Sequence, residues 1–338
     1  MRNMASQSLR ETKLGRRLIT VPAILGGAAA MVLLAIPILV IGAVFDLVRA
    51  KPKLPTVRVA LFGIVYLAWE VFGVLSGVVL WVASGFGLLL GQPPFVRAHR
   101  WLQVAWANNL LNSLRRFLGL RLDVAGTECL APGPVIVFSR HASMVDTLLP
   151  AHLLTTHGGL DLRYVLKHEL LWDPAIDIIA SRIPNHFVDR SGKDTAAELQ
   201  KIGALAAGMA DTESFTIFPE GSRYTPSKRE RAIERLEETD PVLAERAKRL
   251  TNTMPPRRGG VLTVLGAASD ADVIIVAHTG LEGMNGPKEM WKAAPFRRTV
   301  QVEMWRVPRS EIPEDDAGRM DWIFDEWEKV DAWVTAHA

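Results

Sequence analysis

Cysteine is almost missing from this chain of 338 residues. Cys129 stands alone, so no disulfide can form within the chain and a disulfide-stapled scaffold is excluded. A lone thiol suits a domain in a reducing compartment. The histidines are scattered, no Cys or His pair has the spacing of metal ligands, and no metal site is expected. A Gly-x-Ser-x-Gly elbow, a Walker loop and a dinucleotide-binding glycine fingerprint are all absent. Their absence argues against a serine lipase, a nucleotidase and a dehydrogenase. The net charge of +3 is too small to point to nucleic acid. Internal repeats and low-complexity segments are lacking too.

Apolar residues are present in excess, and unevenly. Two runs, Leu18–Val48 and Val59–Gly91, each exceed the roughly 20 apolar helical residues that a bilayer core requires. The first is too long for a signal-peptide core and has no clear cleavage site. Pro22, Pro37 and Gly42 can break or tilt it. The second carries Glu70, and a carboxylate at the bilayer centre is costly. Because the charge-free stretch Val71–Gly91 is long enough by itself, Glu70 is expected near the headgroups. Arg16 and Arg17 precede the first run, Arg49, Lys51 and Lys53 separate the two, and Arg97 and Arg100 follow the second. Basic flanks of this kind mark contact with anionic headgroups.

The expected organisation is a basic tail (residues 1–17), a membrane-embedded helical hairpin (18–91), an amphipathic helix (92–119) and an α/β domain (120–338). The amphipathic helix either lies along the headgroups or packs on the globular core. Two spans would place the tail and the α/β domain on one face, taken here as the cytoplasmic one.

Beyond residue 119, short β-rich runs alternate with helical stretches. Strands are predicted at Leu120–Val124, Val135–Ser139, Arg163–Leu166, His186–Asp189, Phe215–Phe218, Val273–Thr279 and Val300–Val307. Helices are predicted near Met144–Thr156, Glu169–Ser181, Lys193–Ala210, Ser227–Leu250 and Gly260–Ser269, with a docking helix at Asp321–Trp333. The pattern implies a mainly parallel sheet flanked by helices on both faces. Ligands of such sheets gather at the carboxyl ends of strands, and His141, Lys167, Arg190 and the stretch Pro219–Arg223 all follow predicted strands.

Two stretches carry the chemistry. His141-Ala-Ser-Met-Val-Asp146 offers a base and a carboxylate to orient it. Ser143 is read as a helix N-cap or supporting donor rather than a nucleophile. Phe218-Pro-Glu-Gly-Ser-Arg223 offers a glycine that lets the backbone approach closely, exposed amides around Gly221 and Ser222, and the fixed charge of Arg223 for a phosphate. Glu220 pairs with Arg223 or touches a substrate hydroxyl. Lys167 and Arg190 can join the same phosphate pocket. Alone, His141 could cap a core element, and the second stretch could be a tight turn with a structural ion pair. Together and in this order they suit acyl transfer onto a hydroxyl beside a phosphate.

These residues resemble the glycerolipid (lysophospholipid) acyltransferase family, typified by 1-acylglycerol-3-phosphate acyltransferases. The family's Asn-His-x-Ser-x-x-Asp motif matches Arg140–Asp146, with Arg140 where the family has Asn. Its second motif looks like Phe187-Val-Asp-Arg190, and Phe-Pro-Glu-Gly-Thr-Arg is matched by Phe218–Arg223, with Ser222 for Thr. The fourth, a strand usually carrying Pro, corresponds to Val273–Ala277, where no Pro stands. Lys167-His-Glu-Leu170 and Pro255-Pro-Arg-Arg-Gly-Gly260 are similar to the lysocardiolipin acyltransferase branch. The resemblance implies transfer of a fatty acyl chain from acyl-CoA or acyl carrier protein to a lysophospholipid, lysophosphatidic acid by default. It gives His141 as base, Asp146 as its partner, and Glu220, Gly221 and Arg223 on the acceptor phosphate, aided by Lys167 and Arg190. No metal or bound cofactor is expected, and membrane lipids are the expected surroundings. Two other readings stay open: a CoA-independent transacylase, and a catalytically inactive lipid-binding protein on the same scaffold.

Overall fold

The computed structural model describes residues 12–189, 195–284 and 286–338. Three long helices come first: α1 (Lys13–Val48), α2 (Pro55–Ala83) and α3 (Pro93–Leu118). Strands and helices then alternate through β1 (Arg121–Ala125), β2 (Val135–Ser139), α4 (Leu148–Thr156), β3 (Asp161–Lys167), α5 (Pro174–Ile179) and β4 (Asn185–Val188). Next come α6 (Thr195–Ala206), β5 (Glu213–Ile217), α7 (Pro226–Thr239), α8 (Pro241–Arg249) and α9 (Arg258–Ala267). The chain ends with β6 (Asp272–Thr279), α10 (Pro287–Ala293), β7 (Thr299–Val307) and α11 (Asp316–His337).

The chain divides into two compact units. One holds the described residues of Met1–Gly119, Leu166–Ser191 and Trp291–Arg297. Within it α1 and α2 are long and apolar enough to cross a membrane, and much of α1 presents exposed aliphatic side chains such as Leu18, Val32, Leu33, Ile36 and Ile41. The polar residues of these helices are not scattered on that apolar surface. Asp46 is buried and accepts from Thr56 N at 2.8 Å and Thr56 Oγ1 at 2.6 Å, closing the turn between the helices. Glu70 is fully buried and not a surface carboxylate: it accepts from Trp106 Nε1 at 3.0 Å and from Ala175 N at 3.3 Å. Tyr66 donates to Asp173, which caps α5. Arg17 pairs with Asp177 at 2.7 Å. A methyl group on Gly77 would stand 2.2 Å from Ile178 Cγ2, so α2 and α5 approach as only a glycine allows. The apolar face of α3 is buried through Leu102, Leu110, Leu111 and Leu114, while Trp101 stays exposed.

The other unit holds the described residues of Leu120–Val165, Gly192–Met290 and Arg298–Ala338. Its strands run in the order β1-β7-β6-β2-β5-β3. β2 lies parallel to both β5 and β6, β3 is parallel to β5, and β1 to β7; β6 and β7 are the antiparallel pair. β2 and β5 are buried along their whole length, as strands covered on both faces must be, and they read as continuous runs (Val-Ile-Val-Phe-Ser in β2) rather than alternating ones. The fold is the α/β one expected. Several boundaries move, two of them for a plain reason. The helix expected from Met144 starts at Leu148, because the residues before it are occupied by a turn. The single helix expected over Ser227–Leu250 is two, split where Pro241 lacks an amide and Asp240 caps the second by accepting from Leu243 N at 3.1 Å.

Candidate active site

Three neighbouring strands deliver the site. β2 ends at Ser139 and hands over Arg140 and His141; β5 hands over Phe218–Arg223; β6 ends in His278 and Thr279. β2 lies between the other two, so the motifs, 77 residues apart from the start of one (His141) to the start of the next (Phe218), emerge side by side.

His141 is held at nearly every polar atom. Its amide donates to Glu220 Oε1 at 3.0 Å, and its carbonyl accepts from Tyr224 N at 2.9 Å. Its Nδ1 meets Asp146 Oδ1 at 3.0 Å. A carboxylate can only accept, so Nδ1 carries the proton, and in the neutral ring Nε2 carries none. Phe218 packs against the ring, with centroids 4.4 Å apart. The side chain is 9% exposed, and among the described residues Nε2 has no hydrogen-bond partner.

Asp146 reaches back because the intervening residues close a turn. Its Oδ2 accepts from Ala142 N and Ser143 N, both at 2.6 Å. Ser143 Oγ accepts in turn from Val145 N at 3.0 Å and Asp146 N at 3.1 Å. Ser143 therefore caps this turn and not a helix. The carboxylate is wholly buried, with three donors converging on it.

The glycine–arginine turn is built differently from its sequence reading. Glu220 is completely buried and takes two backbone amides, those of His141 and Met254, the latter at 3.3 Å. It joins the two motifs and the Thr251–Arg257 loop. Gly221 has φ +64°, and its amide donates to Phe218 O at 2.9 Å. A methyl group there would stand 2.6 Å from Arg257 Cδ, so the glycine makes room for that side chain. Ser222 and Arg223 follow, half-buried, one and two residues from Gly221. Arg257 was within the Pro255–Gly260 resemblance but not among the expected site residues; its position on Gly221 adds a second guanidinium to the turn. Lys167 ends β3 and falls in the unit of the long helices. Arg190 lies outside the described residues.

Burial pushes the Glu220 carboxyl up to about 8, against the opposing pull of the His141 amide, the Arg140 charge and the Met254 amide. The folded state therefore holds this proton between the ordinary value of 4.5 and about 8. The stability it contributes is full below that window and is lost as the pH rises through it. Glu220→Gln is expected to flatten the fall in denaturant midpoint across the same window. An unchanged pH slope would contradict it.

Sequence reasoning missed His278 and Glu282. His278 Nε2 sits 3.7 Å from Asp146 Oδ2. The signal available was its place directly after the apolar run Val273–Ala277, where a polar residue must be partnered.

An Acyltransferase family model matches residues 121–279, which contain His141, Asp146, the Phe218–Arg223 turn, Arg257 and His278. The chain is 22% identical over 276 residues to the protein of Mus musculus named 1-acyl-sn-glycerol-3-phosphate acyltransferase epsilon, covering 78% of this chain and 72% of that one. At 22% identity over 223 residues it also resembles the uncharacterized acyltransferase C428.14 of Schizosaccharomyces pombe, covering 61% of both. The crystal structure of the 1-acyl-sn-glycerophosphate (LPA) acyltransferase PlsC from Thermotoga maritima aligns with a TM-score of 0.43 and 13% identity, over 80% of this chain and 99% of that chain. Residues 121–279 thus carry an acyltransferase domain. The protein is an enzyme with activity of the glycerolipid acyltransferase type.

Proposed function

We propose that this protein is a membrane-bound acyltransferase that moves a fatty acyl group from acyl-CoA, or acyl carrier protein, to the free hydroxyl of lysophosphatidic acid, giving phosphatidic acid. The observation that carries the reading is the His141–Asp146 pair at 3.0 Å with Nε2 left over, beside the Gly221–Arg223 turn. Nε2 takes the proton of the acceptor hydroxyl as its oxygen attacks the thioester carbonyl. The imidazolium so formed is stabilised by Asp146. When the tetrahedral intermediate collapses, the carbon–sulfur bond breaks and the thiolate leaves with the proton from His141. No protein nucleophile, metal or bound cofactor is needed. Ser222, Arg223 and Arg257 offer donors to the acceptor phosphate. Lys167 and Arg190 stay candidates for that phosphate from their sequence positions. The two apolar helices support membrane attachment, with the α/β unit on the cytoplasmic face.

The test uses the purified full chain in detergent with a long-chain acyl-CoA. Transfer to lysophosphatidic acid is expected, and little transfer to monoacylglycerol, which has the hydroxyl and lacks the phosphate. A charge-assisted hydrogen bond contributes about 1.5–3 kcal/mol, so Arg223→Gln is expected to raise KM for lysophosphatidic acid about 10–100-fold. Equal rates with both acceptors would reject the phosphate reading. Acyl exchange between phospholipids without added thioester would select the transacylase instead.

A further inference from the structure

Arg140 is a charged side chain at 1% exposure, directly before the residue read as the base. Burying a guanidinium is costly unless acceptors meet its donors, and here the two terminal nitrogens have acceptors among the described residues while Nε has none. Nη1 donates to His278 O at 2.6 Å and to Glu282 Oε1 at 2.5 Å, and Nη2 donates to Asn252 O at 2.8 Å. Its own amide donates to Val276 O at 3.1 Å. Its carbonyl accepts from His278 Nε2 at 2.9 Å. Arg140 and His278 thus hold each other's carbonyl, across the ends of the parallel strands β2 and β6.

The chemistry of the partners fixes the state of His278. A carbonyl only accepts, so Nε2 carries the proton. Burial holds the imidazole below its usual range, with the Arg140 charge adding to that and Asp146 opposing it. A neutral ring therefore points its N–H edge at Arg140 O, 3.7 Å from Asp146 Oδ2. The far end of the guanidinium is also secured. Asn252 N donates to Asp331 Oδ1 at 2.6 Å and Thr251 N to Asp331 Oδ2 at 3.0 Å, so α11 holds the loop that offers Asn252 O. The same loop supplies Met254 N to Glu220. Glu282 is fastened by Gly280 N at 2.7 Å.

We infer that Arg140 and His278 are an interlocked positioning pair, which aims His141 at its acceptor. This rests on the reading of His141 as the base. Arg140 touches no substrate at its depth, so its effect is on kcat and not on KM. A lysine cannot replace it fully, because three acceptors in three directions need the planar fork.

The experiment compares Arg140→Gln, Arg140→Lys, His278→Gln and His278→Leu in the full chain, with acyl-CoA and lysophosphatidic acid. Rates are taken per folded molecule, the folded fraction being read by gel filtration and thermal melting. A misaimed catalytic group costs on the order of 10²-fold, so Arg140→Gln and His278→Leu are expected to lower kcat by about that factor. KM for both substrates is expected to stay within about twofold, since transition-state geometry and not uniform binding is lost. Arg140→Lys recovers part of the rate, and His278→Gln, whose Nε2 can still donate to Arg140 O, recovers most of it. Wild-type kcat in folded Arg140→Gln and His278→Leu overturns the pair, as does a raised acceptor KM with kcat held. If Arg140→Gln does not fold, the two His278 variants decide by the same criteria. An active His141→Ala removes the base reading itself. An inactive His141→Ala beside normal Arg140 and His278 variants removes only the positioning pair.

Discussion

Replacing His141 with alanine is expected to lower turnover roughly 10²–10⁴-fold, the usual contribution of a positioned general base. The loss falls on kcat. The substrate phosphate is assigned to the Gly221–Arg223 turn, which the substitution leaves in place. The protein is expected to fold, for a reason visible in the bonds. Both backbone bonds of His141, from its amide to Glu220 and to its carbonyl from Tyr224, survive loss of the ring. Asp146 keeps its two amide donors at 2.6 Å, so the buried carboxylate is not orphaned. A variant within about tenfold of wild type, measured with saturating acyl-CoA and lysophosphatidic acid, would remove His141 from the chemistry. A silent wild type across a broad donor and acceptor panel would instead favour the inactive lipid-binding reading.

The same variant separates local from long-range information in this chain. The pairing of His141 with Asp146 was legible because both lie in one six-residue turn, and the turn is written in its own residues: Ser143 and Asp146 are short polar side chains that bond the amides between them. The strands were legible as apolar runs. The placement of Glu220 was not. Its acidic side chain beside Arg223 reads as an ion pair, yet its oxygens go to the amides of His141 and Met254, residues 79 and 34 positions away. No periodicity encodes such a bond; it exists because β5 lies against β2. Glu70 shows the same limit. In an apolar run it reads as a charge seeking the headgroups, and its partners, Trp106 and Ala175, come from segments that only folding brings near. Arg140 in place of the family's asparagine was visible as a departure. Its meaning required β6, which supplies His278.

Asp146→Asn is the sharper test, because it keeps the size and removes one kind of acceptor. Oδ2 of Asp146 faces two amide donors, and Oδ1 faces Nδ1 of His141. An asparagine must put its oxygen on one side and its NH2 on the other. Turning the NH2 toward Ala142 N and Ser143 N sets donor against donor in a fully buried place. The oxygen therefore stays with the amides, and the NH2 faces Nδ1. A ring nitrogen opposite a donor must accept, so the proton of His141 moves to Nε2. That is the atom meant to receive the hydroxyl proton. The fold is expected to persist while kcat falls on the order of 10³–10⁴-fold, the scale seen when an orienting carboxylate is replaced by its amide. Asp146→Ala is expected to be worse for stability, since it leaves two buried amides without acceptors at about 1–3 kcal/mol each. Because the two residues act as one unit, the His141→Ala, Asp146→Asn double variant is expected to be no slower than His141→Ala alone. Multiplicative losses, or an Asp146→Asn enzyme close to wild-type kcat, would mean that the carboxylate organises the turn and takes no part in setting the tautomer of the base.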